Sequence, residues 1–384
     1  MTFEGYHRPN GTVGVRNHVL VIPSVMCANH VVDRIGRKLT DAIVVQHPTG
    51  CSQVGADFEQ TKRTMAGFAA NPNVAAVLVV GLGCETNESK ALAHEIAARG
   101  QRVEVIGIQE SDGTTNTIAR GIELTSQMLR EAERWERRAA GFEHLILGTE
   151  CGGSDTFSGI TANPALGRAA DRVVAEGGTV ILAEIPELVG AEHLLAERSD
   201  DAVARQLYEL IARVERRAAD MGVDMRYGNP TQGNIAGGLT TIEEKSLGCI
   251  YKGGSTRLRE VVEYAERPTL RGLVVMDTPG QDIEQLTGMV AGGAQVVVFT
   301  TGRGTPTGSP IAPVIKVATN SGIFERMREN LDVNAGTVVD GSKTLDEVGD
   351  EIFRWVVEAA GGRKPAAEEL EFRDFAINRI GPSF

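Results

Sequence analysis

Short apolar runs alternate with helix-like segments through most of this 384-residue chain, and polar, glycine-containing loops follow many of the runs. The runs are residues 19–22, 42–45, 75–80, 103–108, 144–147, 179–183, 272–276 and 295–299. Runs of this length separated by helices are typical of buried parallel strands joined by right-handed crossovers. The pattern therefore predicts an α/β fold with doubly wound parallel sheets and functional loops at the carboxyl ends of the strands.

The chain is too long for one ordinary core, so we expect two α/β units, residues 1–142 and 143–384. A charged helix from about 114 to 140 is expected to close the first unit. Segments 79–85 and 146–152 share an apolar run, a glycine, two residues and a cysteine, which indicates two Rossmann-like halves. Segment 229–249 is too polar and glycine-rich for a core element and is predicted to be a functional loop.

Charge and cysteine content exclude several classes of protein. The formal net charge is −12, which argues against nucleic acid or an anionic membrane as the main partner. The N-terminus does not resemble a signal peptide and no run reaches the roughly 20 apolar residues of a membrane span, so we expect a cytoplasmic protein. Five widely spaced cysteines without a CxxC pair predict metal ligands or isolated thiols rather than a disulfide framework.

The loop that begins at Gly148 has the composition of a binding site. Cys151 is a potential metal ligand, and the backbone amides of Gly152, Gly153 and Ser154 suit a carboxylate or oxyanion. Asp155 is either a helper acid or a helix cap. A tight structural turn is the alternative interpretation of the two glycines.

Nucleotide binding is not expected. No segment has the GxGxxG dinucleotide fingerprint between a strand and a helix, and residues 302–308 lack the lysine and the following Ser or Thr of a P-loop.

Six motifs, spread in order over nearly the whole chain, resemble the altronate and galactarate dehydratase family, which includes the large (beta) subunit of sulfolactate sulfo-lyase. They are GVRN at 14–17, HPTGC at 47–51, GLGCE at 81–85, CGGSD at 151–155 with SG at 158–159 and ANPA at 162–165, GN at 233–234 with EK at 244–245, and FTTGRG at 299–304. As a family assignment this is specific, because six long and unusual motifs do not coincide by chance.

The resemblance implies a lyase that performs β-elimination on a 2-hydroxy acid. The expected reaction is dehydration of a sugar acid of the altronate or galactarate type to a 2-keto-3-deoxy acid. Release of sulfite from (2R)-sulfolactate is the first alternative, and a non-catalytic subunit that binds a sugar acid is the second. Longer members carry a small SAF-type domain that we do not find in this sequence, which implies a separate small SAF-domain subunit and a homo- or hetero-oligomer.

Such an elimination needs a base, a donor set for the developing enolate and help for the leaving group. Lys245 is the expected base or acid, its pKa lowered by desolvation, with Glu244 beside it to orient or protonate. The alternative is an exposed ion pair at a helix start. Arg303 is expected to clamp a carboxylate or sulfonate, with Asn234 and Thr301 also contacting substrate; a cap or salt bridge is its alternative.

A second cationic group opposite Arg303, from Arg16 or Lys252, would favour the sulfonate over the sugar acid.

The resemblance also implies a divalent metal, commonly Fe²⁺, with Mn²⁺ as a substitute. The candidate ligands are thiols, carboxylates and one imidazole in the strand-end loops: His47, Cys51, Cys84, Glu85, Cys151, Glu184 and Glu187. Cys27 and Cys249 are interpreted as small buried residues. An iron-sulfur cluster on Cys51, Cys84 and Cys151 is a lesser alternative, because their spacing matches no known cluster motif.

Overall fold

The computed structural model describes all residues, 1–384, with fourteen strands and thirteen α-helices. The strands are β1 (Thr2–His7), β2 (Val13–Gly14), β3 (His18–Pro23), β4 (Ile43–Val44), β5 (Val74–Gly81), β6 (Arg102–Gly107), β7 (Arg138–Gly141), β8 (Ile146–Cys151), β9 (Thr179–Leu182), β10 (Leu258–Val262), β11 (Gly272–Met276), β12 (Val296–Thr301), β13 (Val314–Ala318) and β14 (Val333–Asn334). The helices are α1 (Asn29–Gly36), α2 (Gly55–Ala69), α3 (Ser89–Ala98), α4 (Thr114–Ala132), α5 (Ala162–Ala175), α6 (His193–Ala196), α7 (Asp201–Asp220), α8 (Gln232–Ala236), α9 (Ile242–Ile250), α10 (Asp282–Ala291), α11 (Ser321–Arg326), α12 (Leu345–Ala360) and α13 (Ala366–Glu369). None of these helices is long and apolar enough to cross a membrane.

Two parallel sheets and one small antiparallel sheet organise the chain. The four-stranded sheet has the order β4-β3-β5-β6, and the seven-stranded sheet has the order β10-β11-β9-β8-β12-β13-β14. All of their pairings are parallel, whereas β1 pairs antiparallel with β2 and β7. Strand β11 is buried at all five positions, as expected for a parallel strand covered on both faces. The predicted α/β class with parallel sheets is confirmed.

The strand order of the larger sheet reverses between β8 and β12. From β8 the chain builds outward through β9 on one side, and from β12 it builds outward through β13 and β14 on the other. Ligands of open α/β sheets bind beyond the carboxyl ends of the strands at such a switch point. Cys151 ends β8 and Thr301 ends β12, so the loops that follow both strands leave from this point.

Two large apolar clusters cover the two faces of the seven-stranded sheet. Alternate residues of β8 point to opposite faces, so Leu147 and Cys151 belong to one cluster and Ile146 to the other. The second cluster also contains Leu20 and Val77 of the four-stranded sheet. The two sheets therefore share this apolar cluster, in which helix α2 packs against helix α10.

The structure differs from the sequence-based elements in three places. Strand β8 continues to Cys151 through the first part of the predicted loop, because Gly148 is paired on both sides, with Val297 and Ile181. The charged helix α4 ends at Ala132, and residues 138–141 instead form β7. Within the predicted loop 229–249 lies α9, capped by the Thr241 hydroxyl, which accepts a hydrogen bond from Glu244 N at 3.1 Å.

We expect Asn73→Ala to lower the free energy of unfolding by about 1–3 kcal/mol. The buried Asn73 amide donates at 2.9 Å to the carbonyls of Gln295 and Ile311, and its Oδ1 accepts Val15 N at 2.8 Å, so its removal leaves three buried groups unpaired. Urea unfolding measures the loss. Asn10→Ala removes an exposed amide that donates to Arg99 O, and it should change the free energy by no more than about 0.5 kcal/mol. Equal losses in the two variants would contradict the prediction.

Candidate active site

Four buried side chains meet at the carboxyl edge of the larger sheet. They are Cys151, Glu184, Glu187 and Cys249, and one potential ligand atom from each lies within 4.8 Å of the others. The Cys151 sulfur is 3.4 Å from Glu187 Oε2, 3.6 Å from Glu184 Oε2 and 4.0 Å from the Cys249 sulfur. Thiolates and carboxylates together can hold a divalent transition metal. We call these four residues the Cys/Glu group.

Glu184 reaches the group through an unusual backbone conformation. It has a φ of 66°, in the left-handed region, and it precedes a single 3₁₀ turn, Ile185–Glu187, that contributes Glu187. A non-glycine residue persists in this conformation only where its surroundings fix it. Thr278, in the loop after β11, supplies that constraint. Its hydroxyl accepts Glu184 N at 2.7 Å and its carbonyl accepts Ile185 N at 3.1 Å.

Two buried lysines compensate the negative charge of the Cys/Glu group. Lys252 donates to the Cys151 sulfur at 2.9 Å and forms an ion pair with Glu184. Lys245 lies 2.5 Å from Glu187 Oε1 and also donates to Asn229 Oδ1 at 3.0 Å and Asn234 Oδ1 at 3.3 Å. Buried charges are tolerated when they are paired in this way.

The pairing shifts the pKa values of the group in opposite directions. The hydrogen bond with Cys249 and the positive charge of Lys252 hold the pKa of Cys151 well below its usual value. Burial, with the nearby Cys151 charge, raises the pKa of Glu187 to about 8. Burial opposes the charge on Lys245, but the charge of Glu187 outweighs it and the pKa of Lys245 is raised. The expected lowering of the Lys245 pKa is therefore not found.

A cavity of about 210 Å³ opens onto the group. Its lining includes Cys151 and Lys245, together with the polar side chains of Ser154, Asn163 and Glu244. The cavity is large enough for several water-sized or small polar groups, and it gives a small ligand access to both a thiol and an ammonium group.

The expected catalytic residues fall into two environments. Lys245 is buried and pairs with Glu187, not with Glu244, so the exposed ion pair considered from the sequence does not form. Glu244 Oε2 accepts Thr240 N at 2.8 Å and the side chain lines the cavity. Asp155 is the N-cap of the 3₁₀ turn Thr156–Gly159, where its Oδ1 accepts Ser158 N at 2.9 Å and the Thr319 hydroxyl at 3.0 Å. The structure thus gives Asp155 the geometry of a cap.

Of the three expected substrate-binding residues that follow Cys151, Ser154 lines the cavity, whereas Gly152 and Gly153 do not. Gly152 N donates to Thr300 O at 3.1 Å, which extends the pairing of β8 with β12. Gly153 has a φ of 58°, and its carbonyl accepts the N–H groups of Gly302 and Arg303. Ser154 is buried, with its hydroxyl 3.7 Å from the Cys151 sulfur.

The remaining residues expected to contact substrate differ in whether their side chains are already hydrogen-bonded within the chain. Asn234 is held by Ser154 O, to which its amide donates at 3.0 Å, and by Lys245. The Thr301 hydroxyl accepts Gly304 N at 3.0 Å. Arg303 is exposed, and its guanidinium makes neither an ion pair nor a hydrogen bond within the chain. The cap or salt bridge considered for Arg303 is therefore not present.

Four of the expected metal ligands lie in the loops of the four-stranded sheet, outside the Cys/Glu group. His47 is buried, with Nε2 2.8 Å from Pro23 O and Nδ1 2.9 Å from the Thr49 hydroxyl. Glu85 accepts the Ser24 hydroxyl at 2.8 Å and Gly83 N at 2.6 Å. Cys51 and Cys84 are exposed, and Cys27, which was expected to be buried, is exposed as well. The structure does not bring these residues together with Cys151.

Sequence analysis did not place Cys249 or Lys252 in this site: it interpreted Cys249 as a small buried residue and considered Lys252 only as a second cation opposite Arg303. Both follow Lys245 at spacings of four and seven residues, which place all three on one face of a helix. The helical period was the available signal, but the interpretation of 229–249 as a loop concealed it.

A polar cavity at the switch point of an open sheet, with thiols, carboxylates and lysines converging on it, is the arrangement of an α/β enzyme. Comparison with known proteins gives its family. Residues 142–383 match the family model described as D-galactarate/altronate dehydratase, C-terminal, and residues 5–133 match D-galactarate dehydratase/altronate hydrolase, second domain. The chain belongs to the galactarate/altronate dehydratase family, as the sequence motifs indicated.

Three relatives match nearly all of the chain. An altronate dehydratase of Bacillus subtilis is 35% identical over 391 residues, which cover 99% of this chain and 78% of the relative. An altronate dehydratase of Escherichia coli is 37% identical over 390 residues, which cover 98% of this chain and 77% of the relative. A (2R)-sulfolactate sulfo-lyase subunit beta of Chromohalobacter salexigens is 37% identical over 385 residues, which cover 99% of this chain and 97% of the relative. By these names the relatives are lyases, and the chain is a lyase.

We expect His47 to lower the free energy of unfolding as the pH falls from 6.5 to about 4, against the opposite contribution of Glu187, whose raised pKa favours the folded chain over much of this range. Burial lowers the pKa of His47 from its ordinary 6.5 to about 4, so in this window only the unfolded chain takes up the proton. Above pH 6.5 His47 is neutral in both the folded and the unfolded chain, so it no longer makes the free energy of unfolding depend on pH. Urea unfolding at several pH values measures the slope.

His47→Gln should make that slope shallower. The slope should not disappear, because burial also lowers the pKa of His18, to about 3. The control is His30→Gln, which changes an exposed histidine and should keep the wild-type slope. An unchanged slope in His47→Gln would rule out this contribution.

Proposed function

We propose that this chain is the large subunit of a lyase that eliminates water from a sugar acid of the altronate or galactarate type, giving a 2-keto-3-deoxy acid, with a divalent metal at the Cys/Glu group. The observation that carries the proposal is the convergence of four buried potential ligands and two lysines on one cavity. The names of the relatives support the reaction class.

The donor set suits a divalent transition metal. Metal ligands are bound in their deprotonated forms; the four ligands would then carry four negative charges against two positive charges of the lysines, and a divalent cation would balance the rest. Thiolate with carboxylate favours Fe²⁺, and Mn²⁺ is the expected substitute. Only two thiols belong to the group, which does not support an iron-sulfur cluster, since clusters are usually held by four cysteines.

A metal bound by Cys151, Glu184, Glu187 and Cys249 would supply Lewis-acid stabilisation of negative charge on substrate oxygens. Lys245 is the proton-transfer residue that we assign. Its raised pKa keeps it protonated, so it can donate to the departing hydroxyl, while Asn229 and Asn234 fix the position of its Nζ. Glu244 lines the same cavity, and we assign its carboxylate to orient the substrate and to accept the proton from the carbon next to the substrate carboxylate; Asp155 maintains the shape of the loop.

The cationic groups favour a sugar acid over a sulfonate. Arg303 is exposed, with its Cβ and Cγ beside Gly153, and we assign its unpaired guanidinium to one carboxylate. Arg16 is buried and held by Glu368, with Nη2–Oε2 at 2.6 Å, and Lys252 is held by Glu184. Neither provides a second cation for the sulfonate of sulfolactate; the second carboxylate of galactarate would also lack one, so within the sugar acids the cations favour the monocarboxylate altronate. The hydroxyl and amide groups of Ser154, Thr156, Ser158 and Asn163 along the cavity suit a polyhydroxylated chain.

A small SAF-domain subunit is the partner that we propose. One relative is named as a subunit beta, which implies another subunit in that protein. In this chain three apolar side chains line the cavity and remain exposed, namely Ile160 (53%), Leu247 (45%) and Tyr251 (55%). Exposed apolar groups clustered at an entrance are typical of an interaction surface.

We also propose a cytoplasmic location, because all five cysteines are free thiols, as in proteins of reducing compartments. The division into units 1–142 and 143–384 remains our proposal for the domain organisation. Each of the two parallel sheets lies entirely within one of these units.

Isothermal titration with Mn²⁺ should show one site per chain, with the small subunit present. Cys151→Ala should weaken binding more than about tenfold, because it removes a ligand at the centre of the group. Cys84→Ala is the matched control, since that exposed thiol lies in a loop after β5, at the other sheet. The affinity of this variant for Mn²⁺ should stay at the wild-type value. Wild-type protein without affinity for metal would favour the non-catalytic binding subunit. Equal weakening by the two variants would contradict the ligand assignment.

The decisive assay mixes the chain with the small subunit and Fe²⁺. It compares 2-keto-3-deoxy product from altronate or galactarate with sulfite from sulfolactate, and we expect the keto-deoxy product. Sulfite alone would establish the alternative, and the absence of both products would refute the proposal.

Lys245→Met should lower kcat by about 10²–10⁴-fold, the usual effect of losing a proton-transfer group. Lys343→Met, at a surface lysine paired with Glu351, should not.

A further inference from the structure

A second set of buried polar atoms lies on the face of β8 opposite to Cys151. Glu150 Oε1 and Oε2, Gln285 Oε1 and Lys316 Nζ are all buried and have no hydrogen-bond partner in the chain. The three residues are each 0% exposed. Buried polar atoms in folded proteins almost always have a partner, so an unpaired set of this size needs an explanation.

Glu150 and Lys316 lie on either side of Phe299 across the strands at the switch point. Phe299 of β12 is in register with Glu150 of β8 on one side and with Lys316 of β13 on the other, so all three side chains leave the same face of the sheet. Lys316 Nζ lies 3.4 Å from the centre of the Phe299 ring.

Gln285 reaches the same place from α10. Its amide group lies 3.4 Å from Thr149 O, next to Glu150. Asp282, one turn earlier on α10, points its carboxylate towards Gly152, where an added Cβ would lie 2.5 Å from Oδ2.

The set contains opposite charges that do not touch. Glu150 and Lys316 form no ion pair with each other or with any other residue. Burial raises the pKa of Glu150 and lowers the pKa of Lys316 to about 7, so both groups experience the cost of desolvation. An internal water accepts and donates several hydrogen bonds and is the common partner of such groups.

We propose that one or more buried water molecules bridge Lys316 to Glu150 and Gln285, and that this bridged charge pair is a positioning device for the Cys151 end of β8. Glu150 and Cys151 are consecutive, so an anchor on one side chain restrains the other. Glu184 Oε1 accepts Cys151 N at 3.4 Å, and the bridge holds the adjacent residue from the opposite face. The pair would link β8, β12 and β13 where the strand order reverses, whether or not the Cys/Glu group binds a metal.

The test measures how fast iodoacetamide labels Cys151, with the exposed Cys27, Cys51 and Cys84 as internal references in the same sample. The variants are Glu150→Met, Lys316→Met and the double variant. Each single variant leaves one buried charge unpaired and should lower the Tm, whereas the double variant removes both charges and should recover it. In the double variant Cys151 should still be labelled about tenfold faster than in the wild type, because the anchor is lost while the fold is stable. Recovery of both the Tm and the wild-type labelling rate would overturn the positioning role.

Gln295→Met is the matched control. Gln295 is buried at the other end of the same strands, where its Oε1 accepts Ile146 N at 2.6 Å and its amide donates to His144 O at 2.8 Å. This variant should lower the Tm without selectively increasing the rate at which Cys151 is labelled. A selective increase in that rate would overturn the positioning role.

A high-resolution crystal structure of the full chain should show water density between Lys316 and Glu150. Direct contact between the two side chains, without intervening water, would overturn the bridge.

Discussion

The contact of Lys252 with Cys151 and Glu184 is the interaction on which the site depends. A thiol and two carboxylates are buried within a few ångströms of one another, and without a cation their mutual repulsion and desolvation would oppose folding. Lys252 is 0% exposed and lies against two of these groups, while Lys245 compensates the third. The loops after β8 and β9 and the helix α9 are therefore held together by charge as well as by apolar packing.

This charge balance explains why the backbone around Glu184 accepts a left-handed conformation. The free-energy cost of that conformation is about 1–2 kcal/mol, which is smaller than the cost of leaving the Lys252 ammonium buried without a partner. Thr278 contributes two hydrogen bonds to the same turn. The strain and its compensation occur in adjacent residues, as is common where a fold positions functional groups.

Much of the fold could be predicted from the sequence, because the apolar period of a strand is a local property. The positions of Cys151, Glu184 and Glu187 could be anticipated for the same reason, since Cys151 ends β8 and the two glutamates follow β9. His47 and Cys84 also follow strands, but they belong to the other sheet, and no local pattern tells which strand ends meet. Cys249 was not placed in the group because α9 is short and contains Gly248, so its helical period was read as a loop; Lys252 lies beyond α9, in the 3₁₀ turn Tyr251–Gly253. The partner of Arg16, Glu368, is 352 residues away and has no signature in sequence.

The end of β8 combines two roles that a strand rarely carries together. Ile146 and Leu147 are ordinary core residues, yet Glu150 and Cys151 send polar groups to opposite faces of the same buried strand. Each polar group has a lysine nearby that comes from later in the chain, Lys316 for Glu150 and Lys252 for Cys151. Neither charge is balanced until β13 and the turn after α9 are in place. The charge balance of the site therefore requires the segment from β8 to β13, and a stable sheet alone would not be enough to form it.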